Sequence, residues 1–185
     1  GADNLTISAD LLSRVFYITS AVTLSNVTVA YGAASDGGGI YNNGVLALNY
    51  CAIAHNADTG IANYGALTLN HSTVISNTGT GVILWRSDSP VITGNTIAGN
   101  SAGGVSILDA RYGNGLTIQG NAFTGNAGNG IYLNDMDSDG NNDVIAGNTF
   151  DLVGDGLSII DDGANVTING DQSIHYTNIQ FKNFG

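Results

Sequence analysis

Residues 37–56 read GGGIYNNGVLALNYCAIAHN and contain three features that return along the chain. A glycine before a branched apolar residue recurs at Gly39-Ile40, Gly60-Ile61, Gly81-Val82, Gly104-Val105, Gly130-Ile131 and Gly156-Leu157. A small polar residue between two apolar stretches recurs at Cys51, Ser72, Asn95, Asn121 and Asn148. An asparagine follows each of the first four after five residues, at Asn56, Asn77, Asn100 and Asn126. The apolar members of the first feature are 21, 21, 23, 26 and 26 residues apart, so the chain consists of structural repeats.

Each repeat contains short stretches of alternating hydrophobicity, such as VLAL, ALTL and VTI, which turns of Gly, Asn and Asp separate. One set of such strands cannot bury its own apolar face, whereas stacked coils can, with neighbouring strands about 4.8 Å apart. Asparagines at one repeated turn would then stack inside the coil and bond to one another through their amides. The sequence predicts an all-β fold, a right-handed single-stranded parallel β-helix (a solenoid) of roughly seven to eight coils.

We expect a single β-helix domain over residues 1–185. In this interpretation residues 1–38 form irregular N-terminal coils, 39–172 form the regular repeats, and 173–185 form a C-terminal cap or a stacking segment. A fragment of a longer solenoid is the alternative, because the last coil of a β-helix leaves strand edges unpaired unless something covers them.

The stretches GGGIYNNGVLALNYCAIAHN (37–56) and ITGNTIAGN (92–100) resemble the pectin-lyase-like right-handed β-helix repeat proteins. The first stretch is especially similar to repeats of bacterial cell-surface and polymorphic outer-membrane proteins. The resemblance extends over about residues 22–172 and implies the fold. It leaves the function open, because that superfamily includes polysaccharide lyases, glycosidases, epimerases, adhesins and surface spacers.

The charge of the chain restricts its partners. All 15 acidic residues are aspartates, only four residues are basic, and the formal net charge is -11. Neutralising phosphates or binding an anionic membrane needs clustered positive charge, so neither nucleic acid nor an anionic membrane surface is an expected partner. No apolar run approaches the roughly 18 residues of a membrane helix, so membrane insertion is not expected either. The lone Cys51 excludes an internal disulfide and is expected in the core.

The repeats lengthen at one corner only. From the small polar residue to the apolar residue of the next repeat the distance is 10, 10, 10, 10 and 9 residues, whereas the remaining part of the repeat grows through 11, 11, 13, 16 and 17. The growing turns read LWRSDSP, LDARYGNG, NDMDSDGNND and IDDGAN, and stacking would place them on one ridge. This ridge contains the ligand-binding candidates Trp85, Arg86 and Tyr112 and the alternative catalytic candidates Asp109, Arg111 and Asp161.

An aspartate run in the ridge suggests a cation site. Carboxylates at alternate positions before a turn-forming glycine suit a hard cation with six to eight oxygen ligands, and the spacing indicates structural calcium. The predicted ligands are Asp135, Asp137, Asp139, Asn141 and Asp143. A solvated acidic turn is the alternative interpretation.

Two classes of function fit these features. The first is a non-catalytic extracellular structural β-helix, a surface, adhesive or filament-forming scaffold that calcium stabilises. Its expected partners are other copies of the chain, stacked head to tail, or cell-surface glycans. The second is a carbohydrate-active enzyme (polysaccharide lyase, glycosidase or epimerase-like) or a glycan-binding module that uses the ridge.

Overall fold

The computed structural model describes residues 5–108, 115–135, 142–151, 157–161, 165–169, 173–175 and 179–183. Within these ranges the backbone forms 23 short strands and no helix. In chain order they are β1 Leu5–Ser8, β2 Phe16–Ile18, β3 Ala21–Ser25, β4 Val27–Ala30, β5 Ile40–Asn42, β6 Val45–Asn49, β7 Ala52–Ala54, β8 Ile61–Asn63, β9 Ala66–Asn70, β10 Thr73–Ile75, β11 Thr80–Trp85, β12 Val91–Thr93, β13 Thr96–Ala98, β14 Gly103–Leu108, β15 Thr117–Gln119, β16 Ala122–Thr124, β17 Ile131–Asp135, β18 Asn142–Ala146, β19 Thr149–Asp151, β20 Leu157–Asp161, β21 Asn165–Asn169, β22 Ser173–His175 and β23 Ile179–Asn183. A search of this part of the chain for a helix long and apolar enough to cross a membrane finds none.

The strands form three parallel sheets in which each strand pairs with the strand three positions later in the chain. Sheet A contains β1, β4, β7, β10, β13, β16, β19 and β22; sheet B contains β2, β5, β8, β11, β14, β17, β20 and β23; sheet C contains β3, β6, β9, β12, β15, β18 and β21. Every coil therefore adds one strand to each sheet. This arrangement is a parallel β-solenoid and confirms the predicted fold class.

The three sheets enclose a narrow apolar core. Because side chains alternate along a strand, β6 buries Leu46 and Leu48 and leaves Val45 exposed. Because the strands of a sheet pair in register, equivalent positions point inward in every coil. The inward side chains therefore form columns along the axis. In sheet A the column consists of Val29, Ile53, Val74, Ile97, Phe123 and Phe150. Fully burying each such side chain stabilises the fold by about 1.5–3 kcal/mol.

Single residues in the left-handed conformation turn the chain at two corners. The residue after each sheet C strand from β3 to β18 has φ between 46° and 64°, at Asn26, Tyr50, His71, Gly94, Gly120 and Gly147. The residue after each sheet A strand from β4 to β16 does the same, with φ between 54° and 61°, at Tyr31, His55, Ser76, Gly99 and Gly125. The later coils use glycine, which adopts this conformation without a steric cost.

Replacing Gly120 by alanine is expected to lower the free energy of unfolding. A Cβ there would meet no atom within 4 Å, so any loss of stability comes from the backbone conformation, whose φ is +63°, and not from a steric clash. The left-handed conformation costs a residue with a Cβ roughly 1–2 kcal/mol. Urea unfolding of Gly120→Ala measures this loss, and Gly120→Asn is the matched control, since asparagine tolerates the conformation better. An equal loss in both variants would show that the corner conformation is not the cause.

The corner between sheets B and C is the one that grows. Two residues join the strands there in the early coils, at 19–20, 43–44 and 64–65. The later connections are longer, at 86–90, 109–116 and 136–141. The flanking strand ends stay in register, with Trp85 beside Leu108 and Leu108 beside Asn134. The lengthened turns therefore begin and end at one corner, as the spacing predicts.

Candidate functional site

The structure describes two of the six ridge candidates together with their side chains. Trp85 ends β11, is 38% exposed, and begins the first lengthened turn. Arg86 follows it in the left-handed conformation, with φ of 52°. Asp109, Arg111 and Tyr112 lie outside the described residues, so their roles stay predictions.

The backbone register brings part of the acidic ridge together. Asp135 ends β17 and pairs with Asp161, the last residue of β20. Asp143, in β18, pairs with Val166 of the next coil. Asp137, Asp139 and Asn141 lie outside the described residues, and among those that are described no group of three or more His, Cys, Asp or Glu side chains could hold a metal ion. The alignment of Asp135 with Asp161 agrees with the stacking of the ridge that the turn lengths predict.

Inside the solenoid, the asparagines that follow sheet A form a continuous hydrogen-bonded ladder. The side-chain nitrogen of Asn56 donates to Oδ1 of Asn77 at 3.0 Å, and that of Asn77 donates to Oδ1 of Asn100 at 2.9 Å. Asn100 donates in turn to Asn126 at 2.9 Å. The acceptor oxygens also receive the backbone N–H groups of the preceding coil, so the ladder satisfies polar groups that are 0–1% exposed. The predicted stacking of these asparagines is confirmed.

A second ladder lies at the corner between sheets C and A. The side chain of Asn95 donates to Asn121 at 2.9 Å, and Asn121 donates to Asn148 at 3.0 Å. In the earlier coils smaller residues take the same position. Ser72 accepts the backbone N–H of Cys51 at 3.0 Å, and its own backbone N–H donates to Asn95 at 2.8 Å. The second ladder thus continues with shorter side chains in the coils that have fewer residues.

The recurring glycine of the sequence repeat has a steric cause. A Cβ on Gly60 would lie 2.8 Å from the amide nitrogen of Asn77 and 2.8 Å from the carbonyl oxygen of Gly81. A Cβ on Gly81 would lie 2.9 Å from the amide nitrogen of Asn100. The asparagine ladder therefore packs against glycine backbone, and the two sequence markers are parts of one structural unit.

The outer surface of sheet B carries four stacked aromatic rings, Tyr17, Tyr41, Tyr64 and Trp85, which we call the aromatic strip. Successive ring centroids are 5.0, 4.9 and 6.4 Å apart, and the planes are inclined by 6°, 25° and 26°. Of these four residues, only Trp85 is among the predicted ligand-binding candidates. Tyr17 and Tyr41 are 24 residues apart, which is one coil, whereas Tyr64 follows Tyr41 by 23 residues where the coil has 21, so spacing alone did not group the four rings.

Arg14 and Asp36 contact two rings of the aromatic strip, Tyr41 and Tyr64. The guanidinium of Arg14 lies 4.8 Å from the ring centroid of Tyr41, and its Nε donates to the backbone oxygens of Asp36 and Gly37 at 3.1 and 3.0 Å. The phenol of Tyr64 donates to Oδ2 of Asp36 at 2.9 Å. Burial, followed by this hydrogen bond to the carboxylate, raises the pKa of Tyr64 to about 12. The Tyr64 phenol therefore keeps its proton at neutral pH.

The comparisons with known proteins agree with this architecture. The family described as "Right handed beta helix region" matches residues 11–173, nearly the whole chain. No curated protein and no solved structure matches the chain. Because the family match covers strands of all three sheets, this chain belongs to the right-handed β-helix family.

Proposed function

We propose that the protein is a non-catalytic structural β-helix that serves as an extracellular surface, adhesive or filament-forming scaffold. The observation that carries this proposal is that the buried side-chain hydrogen bonds of the protein run along the solenoid axis, from one coil to the next. The side chains of Asn77, Asn100 and Asn121 each bond the coil before and the coil after. Such bonds resist bending and separation of coils, which is the property a rigid scaffold needs.

The aromatic strip supports the same function. Its ring planes stack on one another along the axis, so the faces of Tyr41 and Tyr64 are covered by neighbouring rings. Sugars bind aromatic side chains mainly through the ring faces, and a strip that covers its own faces is better suited to joining coils. This arrangement favours the scaffold over a glycan-binding surface in the early coils.

A repeated ladder also suits assembly of copies end to end. Each coil offers donors and acceptors at the same positions as the coil before it, so a coil of another copy would find matching partners. Association of this kind does not close on itself and builds a filament. Sedimentation velocity and negative-stain microscopy test it: filaments that lengthen with concentration support assembly, and monomers at every concentration contradict it.

A carbohydrate-active or glycan-binding function is the second candidate. The observation in its favour is Trp85, which is partly exposed where the lengthened corner begins. Incubation with pectate, alginate and other polysaccharides separates the two functions. Cleavage that Arg111→Ala removes, or glycan binding that Trp85→Ala removes, would replace the scaffold by this candidate.

We also propose that calcium binds the lengthened corner through Asp135, Asp137, Asp139, Asn141 and Asp143. The pairing of Asp135 with Asp161 supports the proposal, because two carboxylate residues in adjacent strands repel one another unless a cation offsets their charge. Asp161, a catalytic candidate in the enzymatic interpretation, then contributes charge to the calcium site.

Isothermal titration with calcium after chelation is expected to show binding that Asp137→Ala abolishes. Calcium that binds only the folded chain raises its unfolding free energy by about 2.7 kcal/mol at a free concentration of about 100 Kd. Asp151→Ala is the control, because it removes the same charge from an exposed strand position and should bind as the parent chain does. Absence of binding at millimolar calcium, or equal loss in both variants, removes the calcium site.

A further inference from the structure

We infer that the aromatic strip is an electron relay that passes a one-electron oxidation from Trp85 through Tyr64 and Tyr41 to Tyr17. The centroid distances of 6.4, 4.9 and 5.0 Å put each ring next to the following one. The planes of neighbouring rings are inclined by at most 26°, and short separations between aromatic groups favour electron exchange. This role goes beyond the scaffold function, whose main support is the asparagine ladders rather than the aromatic strip.

The two ends of the strip are more exposed to solvent than its middle. Trp85 is 38% exposed and Tyr17 is 63% exposed, whereas Tyr41 and Tyr64 between them are half-buried. A soluble one-electron oxidant, such as the azide radical, therefore reaches the strip at its ends. Trp85 is the single tryptophan of the chain, so oxidation of indole begins at one known place.

The electron transfer from Tyr64 to the oxidised Trp85 needs an acceptor for the phenolic proton of Tyr64, and this acceptor is Asp36. The oxidant takes one electron from Trp85 and becomes its reduced anion, while the indole N–H proton leaves to water. An electron then moves from Tyr64 to the indolyl radical, which takes a proton back from water. The phenolic proton of Tyr64 passes along its 2.9 Å hydrogen bond to Oδ2 of Asp36, which leaves a neutral tyrosyl radical.

The radical continues along the strip by the same chemistry. Tyr41 gives an electron to the Tyr64 radical, which recovers its proton from Asp36, and Tyr41 releases its own proton to water. Tyr17 then repeats the step for Tyr41. The net change is one electron from Tyr17 to the oxidant and one proton from Tyr17 to water, so charge and atoms balance.

The geometry around Asp36 fixes the proton acceptor in position. Arg14 donates to the backbone oxygens of Asp36 and Gly37 and lies against the ring of Tyr41. Because the Tyr64 phenol carries its proton at neutral pH, its oxidation must release that proton, and the carboxylate is already in hydrogen-bond contact. Asp36 is thus a positioning and proton-accepting residue rather than a member of the electron path.

Pulse radiolysis in azide solution tests the relay. In the parent chain we expect the indolyl absorption to decay while the tyrosyl absorption grows, at a rate independent of protein concentration. Tyr64→Phe keeps the ring stack but has no phenolic proton to release, so this fast conversion is expected to be lost. Asp36→Asn keeps a hydrogen-bond acceptor but is a far weaker base, so the conversion should slow.

Tyr50→Phe is the matched control. Tyr50 is 59% exposed, close to the exposure of Tyr17, but its ring stacks on His71 and is not part of the strip. Its replacement should leave the conversion unchanged, and mass spectrometry of the oxidised parent chain should find modified Tyr17 well above modified Tyr50. A normal conversion in Tyr64→Phe, or equal oxidation of Tyr17 and Tyr50, would overturn the relay.

Discussion

Replacing Asn100 by alanine is expected to lower the free energy of unfolding by about 3–5 kcal/mol, because the substitution removes the partner of two buried donors of Asn77 and of buried acceptors of Val74 and Asn126. Oδ1 of Asn100 accepts the backbone N–H of Asn77 at 3.1 Å and its side-chain N–H at 2.9 Å. Its amide nitrogen donates to Asn126 at 2.9 Å and to the carbonyl of Val74 at 3.0 Å. The side chain is fully buried, so water cannot replace these bonds without opening the solenoid.

Urea unfolding measures the loss, and Asn43→Ala is its control. Asn43 is the same residue type in an exposed turn, and its replacement should change the unfolding free energy by less than about 0.5 kcal/mol. Asn95→Ser is a second comparison, because the second ladder already contains a serine at Ser72. If Asn100→Ala proved no more harmful than Asn43→Ala, the ladder would not be a source of stability.

The ladder was predictable because a repeat fixes backbone positions. Asn77 and Asn100 stand at equivalent places in successive coils, and a polar residue kept at one buried place must find its partner in the next coil. The same logic predicted the fold class and the corner that lengthens. These predictions need only the order and spacing of residues, because residues one repeat apart lie in neighbouring strands about 4.8 Å apart.

The aromatic strip was not predictable in this way, because its members occupy different positions in the sheet. Tyr17 and Tyr41 are register partners, whereas Tyr41 is paired with Ala62 in the next coil. Tyr64 lies two residues beyond Ala62, past the end of β8, and its ring nevertheless stacks on that of Tyr41. Spacing alone does not reveal a contact between side chains that are not partners in the strand register.

The contact between Arg14, Asp36 and Tyr64 was hidden for a related reason. It joins residues 22 and 28 positions apart through turns whose lengths do not repeat.

The lengthened corner was predictable in part. The spacing placed Asp135 and Asp161 on one ridge, and the register of β17 and β20 aligns them, because those strands remain periodic.

Phe123→Ala is expected to destabilise the solenoid by about 3–5 kcal/mol, since it removes a large, fully buried ring from the core. The column of sheet A changes from Ile97 to Phe123 and Phe150 where the repeat lengthens from 23 to 26 residues. Phe123 is fully buried and stacks on Phe150 with centroids 5.1 Å apart and planes inclined by 10°. Truncation removes this stack and leaves a cavity that the hydrogen-bonded coils on either side cannot close.

Two variants make this result interpretable. Phe123→Ile introduces the residue that the same column uses one coil earlier, at Ile97, and should recover part of the loss because it fills part of the cavity. Thr124→Ala changes the exposed neighbour in β16 and should be nearly neutral. Guanidinium unfolding of all three gives the comparison. If Phe123→Ile were as unstable as Phe123→Ala, the ring would be required for its stacking on Phe150 rather than for its volume. If Phe123→Ala matched Thr124→Ala, these coils would derive their stability from the asparagine ladders and not from the aromatic core.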